Sequence, residues 1–132
     1  MLDKLNQFVG RAHSPDFDCA DLAIAVAREI FGREIALPTV RPRPLGARGQ
    51  ALALRVAMGE LARPVPEPSD GDLVLMQLRG SDLPGHVGTY FHVAHEAHVL
   101  HTSLALGYAG LHKLRDLPRY GITFKGFYRW ID

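Results

Sequence analysis

The chain has 132 residues, of which 47% are hydrophobic, and this suits one globular domain with its own core; we predict a single domain over residues 1–132. Fifteen basic and 14 acidic residues give a net charge of +1, and no lysine or arginine run indicates a nucleic-acid partner. Cys19 is the one cysteine, which excludes an intramolecular disulfide and any two-cysteine zinc or redox motif.

The N-terminal sequence "MLDKLNQFVG" is too polar for a signal peptide. No apolar run approaches the ~18 residues that span a bilayer. We therefore expect synthesis in the cytoplasm, without a signal peptide and without a membrane span.

Helical patterns occupy the first half of the chain. The opening "LDKLNQFVG" predicts a short amphipathic helix, and "DCADLAIAVAREIFG" predicts the clearest one. Asp18 is its expected N-cap, Asp21 completes a capping box, and Gly32 ends it, so Cys19 lies in the first turn. A Pro-rich segment from Leu37 to Gly49 precedes a third helical pattern, "QALALRVAMGELA".

Strand patterns follow in the second half. The segment "RPVPEPSDGD" is typical of a linker, and "DLVLMQL" has the composition of a buried strand. "HVGTYFHV" and "AHVLHTS" predict a hairpin, and "YGITFKGFYRWID" predicts a last strand. Helices followed by antiparallel strands make an α+β fold, with the N-terminal helices packed on the sheet.

Four of the seven histidines lie in the ten residues "HVAHEAHVLH". Its "HEAH" string is one residue shorter than the His-Glu-x-x-His motif with which a helix directs two histidines at one zinc ion. The surrounding pattern is that of strands, and no second cysteine is present. We therefore expect neither a metal nor another cofactor, although a histidine zinc site is the alternative to test.

The register of the predicted hairpin decides which histidines meet, because successive side chains of a strand point to opposite faces. If the hairpin turns about Val93 and Ala94, His86 lies opposite His101, and a one-residue slip would replace His101 by His98. The two other histidines of the cluster are expected at the turn, in solvent; they are His92 and His95.

Cys19 is a candidate nucleophile, because the oriented N–H groups at a helix N-terminus lower the pKa of a thiol. Asp18 and Asp21 oppose this by disfavouring a second negative charge, so a histidine must supply the activation. His86 would accept the thiol proton and return it to the leaving amine, while His101 would hold the ring of His86 in the right tautomer. The alternative is that Cys19 is a small buried core residue.

Four segments occur in the order found in the NlpC/p-sixty family of papain-like cysteine peptidases: "DFDCADL", "GDLVLM", "GHVGTYF" and "VLHTS". The chain resembles that family from about Gly10 to Arg129. The resemblance implies a papain-like fold and a catalytic triad of Cys19, His86 and His101. The ending "FKGFYRW" is similar to the Gly-Tyr/Phe-Tyr-Arg ending of phage-tail members.

Two departures from the family pattern lie near the nucleophile. Ala20 and Asp21 replace the Ser-Gly that usually follows the cysteine, so the added carboxylate either contacts substrate or weakens the thiolate. "GRAH" stands where the family has Gly-x-Pro-Tyr, which puts His13 in place of a tyrosine that assists the oxyanion. His13, by its place in the family pattern, and Asp21, as the added carboxylate, are thus the candidates for oxyanion or substrate binding.

The resemblance implies hydrolysis of amide bonds in the peptide stems of bacterial peptidoglycan through an acyl-enzyme on Cys19. It also implies association with a phage or prophage tail, with tail-tip proteins as partners. The alternative is a catalytically inactive papain-like module of tail assembly, which Asp21 and the irregular "GRAHSPDF" loop favour. The Pro-rich segment would either shape a substrate groove or cross the surface.

Overall fold

A computed structural model describes residues 2–35, 37 and 46–131. Its helices are α1 (Leu2–Asn6), α2 (Cys19–Phe31), α3 (Gly46–Leu61) and a 3-10 helix (Leu114–Tyr120). Its strands are β1 (Ala62–Val65), β2 (Leu73–Leu78), β3 (His86–Val93), β4 (Glu96–His101), β5 (Gly110–Lys113) and β6 (Ile122–Trp130). The strands form one antiparallel sheet in the order β1-β6-β2-β3-β4-β5. The predicted α+β fold is confirmed.

Helix α2 begins and ends where its capping residues predict. The Asp18 carboxylate accepts hydrogen bonds from the N–H groups of Ala20 (3.1 Å) and Asp21 (3.2 Å). The Asp21 carboxylate accepts one from the N–H of Asp18 (2.9 Å), which completes the capping box. Gly32 takes the left-handed conformation (φ 62°) that ends many helices. Cys19 is therefore the first residue of the helix.

The sheet is covered on both faces. Helix α2 packs its apolar stripe, including Val26, against Phe91 of β3 and Leu100 of β4. On the other face, Val99 of β4 packs with Leu117 of the 3-10 helix. Because both faces are buried, β2 is apolar almost throughout rather than alternating.

An ion pair joins the start of β2 to the end of β6. Asp72 is buried, and Arg129 donates to both of its carboxylate oxygens, from Nε to Oδ1 at 3.0 Å and from Nη2 to Oδ2 at 2.8 Å. Asp72 also accepts a bond from the N–H of Ser69 (2.7 Å). Paired, parallel bonds of this kind fix geometry as well as charge. The Gly-Asp motif and the "FKGFYRW" ending thus have a structural role, because they hold β2 and β6 together.

Several element predictions need correction. The N-terminal helix ends at Asn6, since residues 7–10 form turns. The predicted linker contributes β1, in which Pro64 lies opposite Tyr128; a proline is tolerated there because β1 is an edge strand. Strand β5 and the 3-10 helix had no predicted counterpart. Of the Pro-rich segment, residues 38–45 lie outside the described residues, so its predicted role is untested.

The hairpin register differs from the predicted one by two residues. The turn is at Ala94 and His95, both with positive φ (52° and 65°), and Val93 pairs with Glu96. Positive φ at both central residues is the type I′ geometry that matches the twist of the flanking strands. His86 is therefore not directly opposite His101. The shift is an even number, however, so both side chains stay on the same face.

This register determines the positions of the histidines in the "HVAHEAHVLH" cluster. His92 lies in β3 opposite Ala97, which corrects its predicted place in the turn, whereas His95 does lie in the turn. His98 alternates with His101 along β4 and so points to the opposite face. Its Nδ1 is 2.9 Å from the carbonyl oxygen of Glu96, a local hydrogen bond within the strand.

Candidate active site

Cys19 and His86 line one cleft of about 550 Å³. The N-terminus of α2 forms one side of the cleft, and the loop between β2 and β3 forms another. The segment after β4 contributes Thr102 and Ser103, both buried. The candidate nucleophile and the candidate base therefore face the same space.

Cys19 combines exposure to the cleft with contact to the core. Its side chain is half-buried and packs against the apolar cluster that includes Ala23, Leu75 and Val87. Its backbone N–H belongs to the first turn of α2, where the Asp18 carboxylate accepts hydrogen bonds from the N–H groups of Ala20 and Asp21. The N-terminal end of the helix dipole favours an anionic oxygen at this end of the cleft, whereas the charge of Asp18, which also borders the cleft, opposes it.

Three imidazoles form a continuous hydrogen-bonded series, which we call the histidine row: His86, His101 and His112. His86 Nε2 lies 2.9 Å from His101 Nδ1, and His101 Nε2 lies 2.9 Å from His112 Nδ1. His101 is fully buried and His86 is only 3% exposed. The structure brings together the two histidines singled out from the sequence and adds a third.

His112 is the site residue that sequence reasoning missed. It lies on β5, half-buried, with its ring stacked on Tyr120 at a centroid distance of 4.3 Å. Strand β5 has only four residues and pairs with β4 at the sheet edge, so nothing in its local sequence predicts a position beside His101. The short string "GLHK" is compatible with a strand, but it does not indicate which strand it pairs with.

Burial dominates the electrostatics of the row. It lowers the pKa of His86 from 6.5 to about 4, with a smaller contribution from nearby His13. Burial also lowers the pKa of His101, and the neighbouring rings of His86 and His112 add to this. For His112 burial again lowers the pKa, while the charge of Asp116 opposes it. All three rings are therefore neutral at pH 7.

The two candidates for oxyanion or substrate binding, His13 and Asp21, have different positions. His13 lines the cleft, and its Nδ1 lies 3.2 Å from the hydroxyl oxygen of Thr102. Asp21 does not line the cleft, because its carboxylate is used in the capping box; it borders a separate depression with Phe17 and Arg28. Asp18 borders the cleft instead. The contact of Asp21 with substrate stays a prediction.

Within residues 2–35, 37 and 46–131, no three side chains of His, Cys, Asp or Glu are arranged to hold a metal ion. The histidine row is linear and directs its ring nitrogens at one another rather than at a common point. In the same described part of the chain, no helix has the length and apolar character needed to cross a membrane.

No family model and no curated protein matches the sequence. Among solved structures, the chain is similar to an N-acetylmuramoyl-L-alanine amidase from Bacteroides uniformis, with 19% identity and a TM-score of 0.40. The similarity covers 52% of this chain and 31% of that chain. We therefore infer the chemistry of the cleft from its own side chains.

Proposed function

We propose that this chain is a cysteine peptidase or amidase that hydrolyses amide bonds in the peptide stems of bacterial peptidoglycan. The observation that supports it best is the shared cleft of Cys19 and His86, with His86 hydrogen-bonded to His101 at 2.9 Å. A thiol, a base and a group that orients the base are the parts that acyl transfer requires. The substrate class rests on the resemblance of the four sequence segments named above.

In the proposed reaction, His86 accepts the proton of the Cys19 thiol as the sulfur attacks the amide carbon. The carbonyl oxygen becomes an oxyanion, to which the backbone N–H of Cys19 donates. The C–N bond then breaks as His86 gives its proton to the leaving amine, and a thioester remains on Cys19. Water attacks the thioester with His86 as base, which releases the acid and restores the thiol.

The neutral state of His86 supports its role as base. Its Nε2 is engaged by His101, so Nδ1 is the ring nitrogen that remains for the thiol proton. Because burial lowers the pKa of His86 to about 4, that nitrogen is not lost to protonation at neutral pH. The same burial disfavours a resting thiolate–imidazolium pair, so we expect proton transfer to accompany attack rather than precede it.

The test is release of new amino groups from soluble stem-peptide fragments of peptidoglycan. We expect the wild-type protein to release them and Cys19→Ala and His86→Ala each to lose on the order of 10³-fold in rate. The matched control is His92→Ala, an exposed histidine of β3, which should retain full activity. An inactive wild type, or a Cys19→Ala variant as active as wild type, would contradict the proposal.

A second candidate is a papain-like module of a phage tail that no longer turns over. Two carboxylates at the start of α2 favour it, since Asp18 and Asp21 both oppose a negative charge on Cys19. Iodoacetamide separates the two functions. In an enzyme, alkylation of Cys19 removes amine release in proportion to labelling, whereas an inactive module releases no amine before or after labelling.

We also propose association with a phage or prophage tail, with tail-tip proteins as the partners that deliver the enzyme to the wall. The resemblance of the chain ending carries this proposal, which is separate from the chemistry. Co-purification of the chain with assembled tail particles tests it, and absence from those particles would contradict it.

A further inference from the structure

The histidine row crosses three neighbouring strands on a diagonal. His101 of β4 lies directly opposite Gly110 of β5, and His112 is two residues further along β5. On the other side, a Cβ atom built on Gly88 would lie 2.9 Å from the Cβ of His101, and His86 is two residues earlier on β3. His86 therefore lies on the same face of β3 as Gly88, and His112 on the same face of β5 as Gly110. Both glycines are next to His101.

Because a glycine has no side chain, the ring of a neighbouring histidine can lie over its backbone. A Cβ atom on Gly110 would lie 3.0 Å from Cε1 and Nε2 of His112. The ring of His112 is therefore folded over Gly110, toward His101, and Tyr120 covers it on the outside. This packing holds the Nδ1 of His112 at 2.9 Å from His101 Nε2.

Neutral imidazoles give the row a direction. Each neutral ring has one N–H and one lone pair, and His101 lies between two rings, so it must donate to one and accept from the other. If His101 donates to His86, then His86 Nε2 is the acceptor and its Nδ1 carries the proton, so His86 cannot take the thiol proton. If His101 donates to His112, His86 donates from Nε2 and its Nδ1 lone pair is available.

We propose that His112 is a positioning residue: its Nδ1 accepts a hydrogen bond from His101 Nε2–H and thereby holds the row in the direction that keeps His86 Nδ1 unprotonated. This inference rests on the proposed role of His86 as base. Nδ1 of His112 faces His101, so Nε2 is the ring nitrogen left to carry the proton of a neutral His112 ring. With Nε2 protonated, Nδ1 of the neutral ring is an acceptor.

Two substitutions of His112 separate positioning from packing. His112→Asn keeps a side-chain oxygen near the former Nδ1 position but loses the stacked ring, whereas His112→Phe keeps a ring on Tyr120 but has no acceptor. We expect His112→Phe to lower kcat by roughly 10-fold or more with little change in KM, and His112→Asn to stay within a few-fold of wild type. The reverse order would mean that His112 acts only by packing.

Nitrogen NMR of the imidazoles gives a readout that needs no substrate. In the folded wild-type chain we expect His86 as the Nε2–H tautomer, and in His112→Phe a shift toward the Nδ1–H tautomer. A wild-type His86 protonated on Nδ1, or an unchanged tautomer in folded His112→Phe, would overturn the inference. If the expected tautomers are found but wild type releases no amine, the proposed function fails while the direction of the row stands.

Discussion

Six of the seven histidines lie on the β3–β4–β5 meander, and they form two sets with opposite surroundings. The histidine row consists of His86, His101 and His112, and the hairpin set consists of His92, His95 and His98. Rings of the row bond to each other across strands, whereas no member of the hairpin set is joined to another in the described hydrogen bonds. The row also lies far from the hairpin turn, in the part of the sheet that is covered on both sides. The dense histidine cluster in the sequence is thus not the structural unit, because cross-strand neighbours and strand parity decide which rings meet.

The largest contrast we expect between the two sets is their effect on the free energy of unfolding at acidic pH. Unfolded His86 takes a proton near pH 6.5, but the folded ring does so only near pH 4, so unfolding binds a proton between these values. The free energy of unfolding should therefore fall by up to about 3 kcal/mol as pH drops from 6.5 to 4. His101 contributes in the same direction.

Urea unfolding of variants at pH values between about 7 and about 4 measures this loss. His86→Gln should flatten the dependence relative to the matched control His92→Gln, which changes an exposed histidine of β3. Carboxylates affect all these proteins alike, so the comparison isolates the contribution of His86 together with its effect on His101. Equal slopes for His86→Gln and wild type would contradict the buried neutral state of the ring.

A smaller effect is expected from filling the space beside the row. Gly88→Ala places a Cβ 2.8 Å from the backbone oxygen of Leu100 and 2.9 Å from the Cβ of His101, in addition to a clash with Val99. Because the backbone of Leu100 cannot move without disturbing the sheet, we expect the free energy of unfolding to fall by about 1–3 kcal/mol, as measured by thermal unfolding.

The control for Gly88→Ala is Gly59→Ala in α3, where a Cβ meets nothing within 4 Å. A helical glycine replaced by alanine should stabilise by about 0.5–1 kcal/mol. If Gly88→Ala were as well tolerated as Gly59→Ala, the close packing of the row against Gly88 would be refuted.

The smallest effect is a gain in stability within the hairpin set. His95 has a positive φ of 65°, which favours glycine at the second central position of a type I′ turn. His95→Gly should therefore raise the free energy of unfolding by about 0.5 kcal/mol, net of the added freedom of the unfolded chain. Amine release should be unchanged. A loss of stability would indicate that the exposed ring contributes more than the backbone strain costs.

Local signals account for what the sequence predicted well. The caps Asp18 and Gly32 bound α2, and the pattern "HVGTYFHV" has the bounds of β3, because a helix cap or strand alternation acts within a few residues. His112 and the pairing of β1 with β6 escaped prediction, because both depend on partners distant in sequence. The hairpin register was wrong because the sequence has no Asn-Gly or Asp-Gly at Ala94 and His95 to mark the turn. The predicted face of His101 is nevertheless correct, because a register shift of two residues leaves each side chain on the same face of the sheet.

The place of β6 in the sheet sets an order of assembly. Strands β2 to β5 pair with their neighbours in sequence, so the histidine row needs only short loops to form. Strand β6 is last in the chain but lies between β1 and β2, where Arg129 reaches Asp72. Until β6 is synthesised, the edge of β2 is open, and its sequence "LVLMQL" carries no charge to discourage another chain. We therefore expect nascent or truncated chains that lack β6 to aggregate through the same strand that supports the candidate active site.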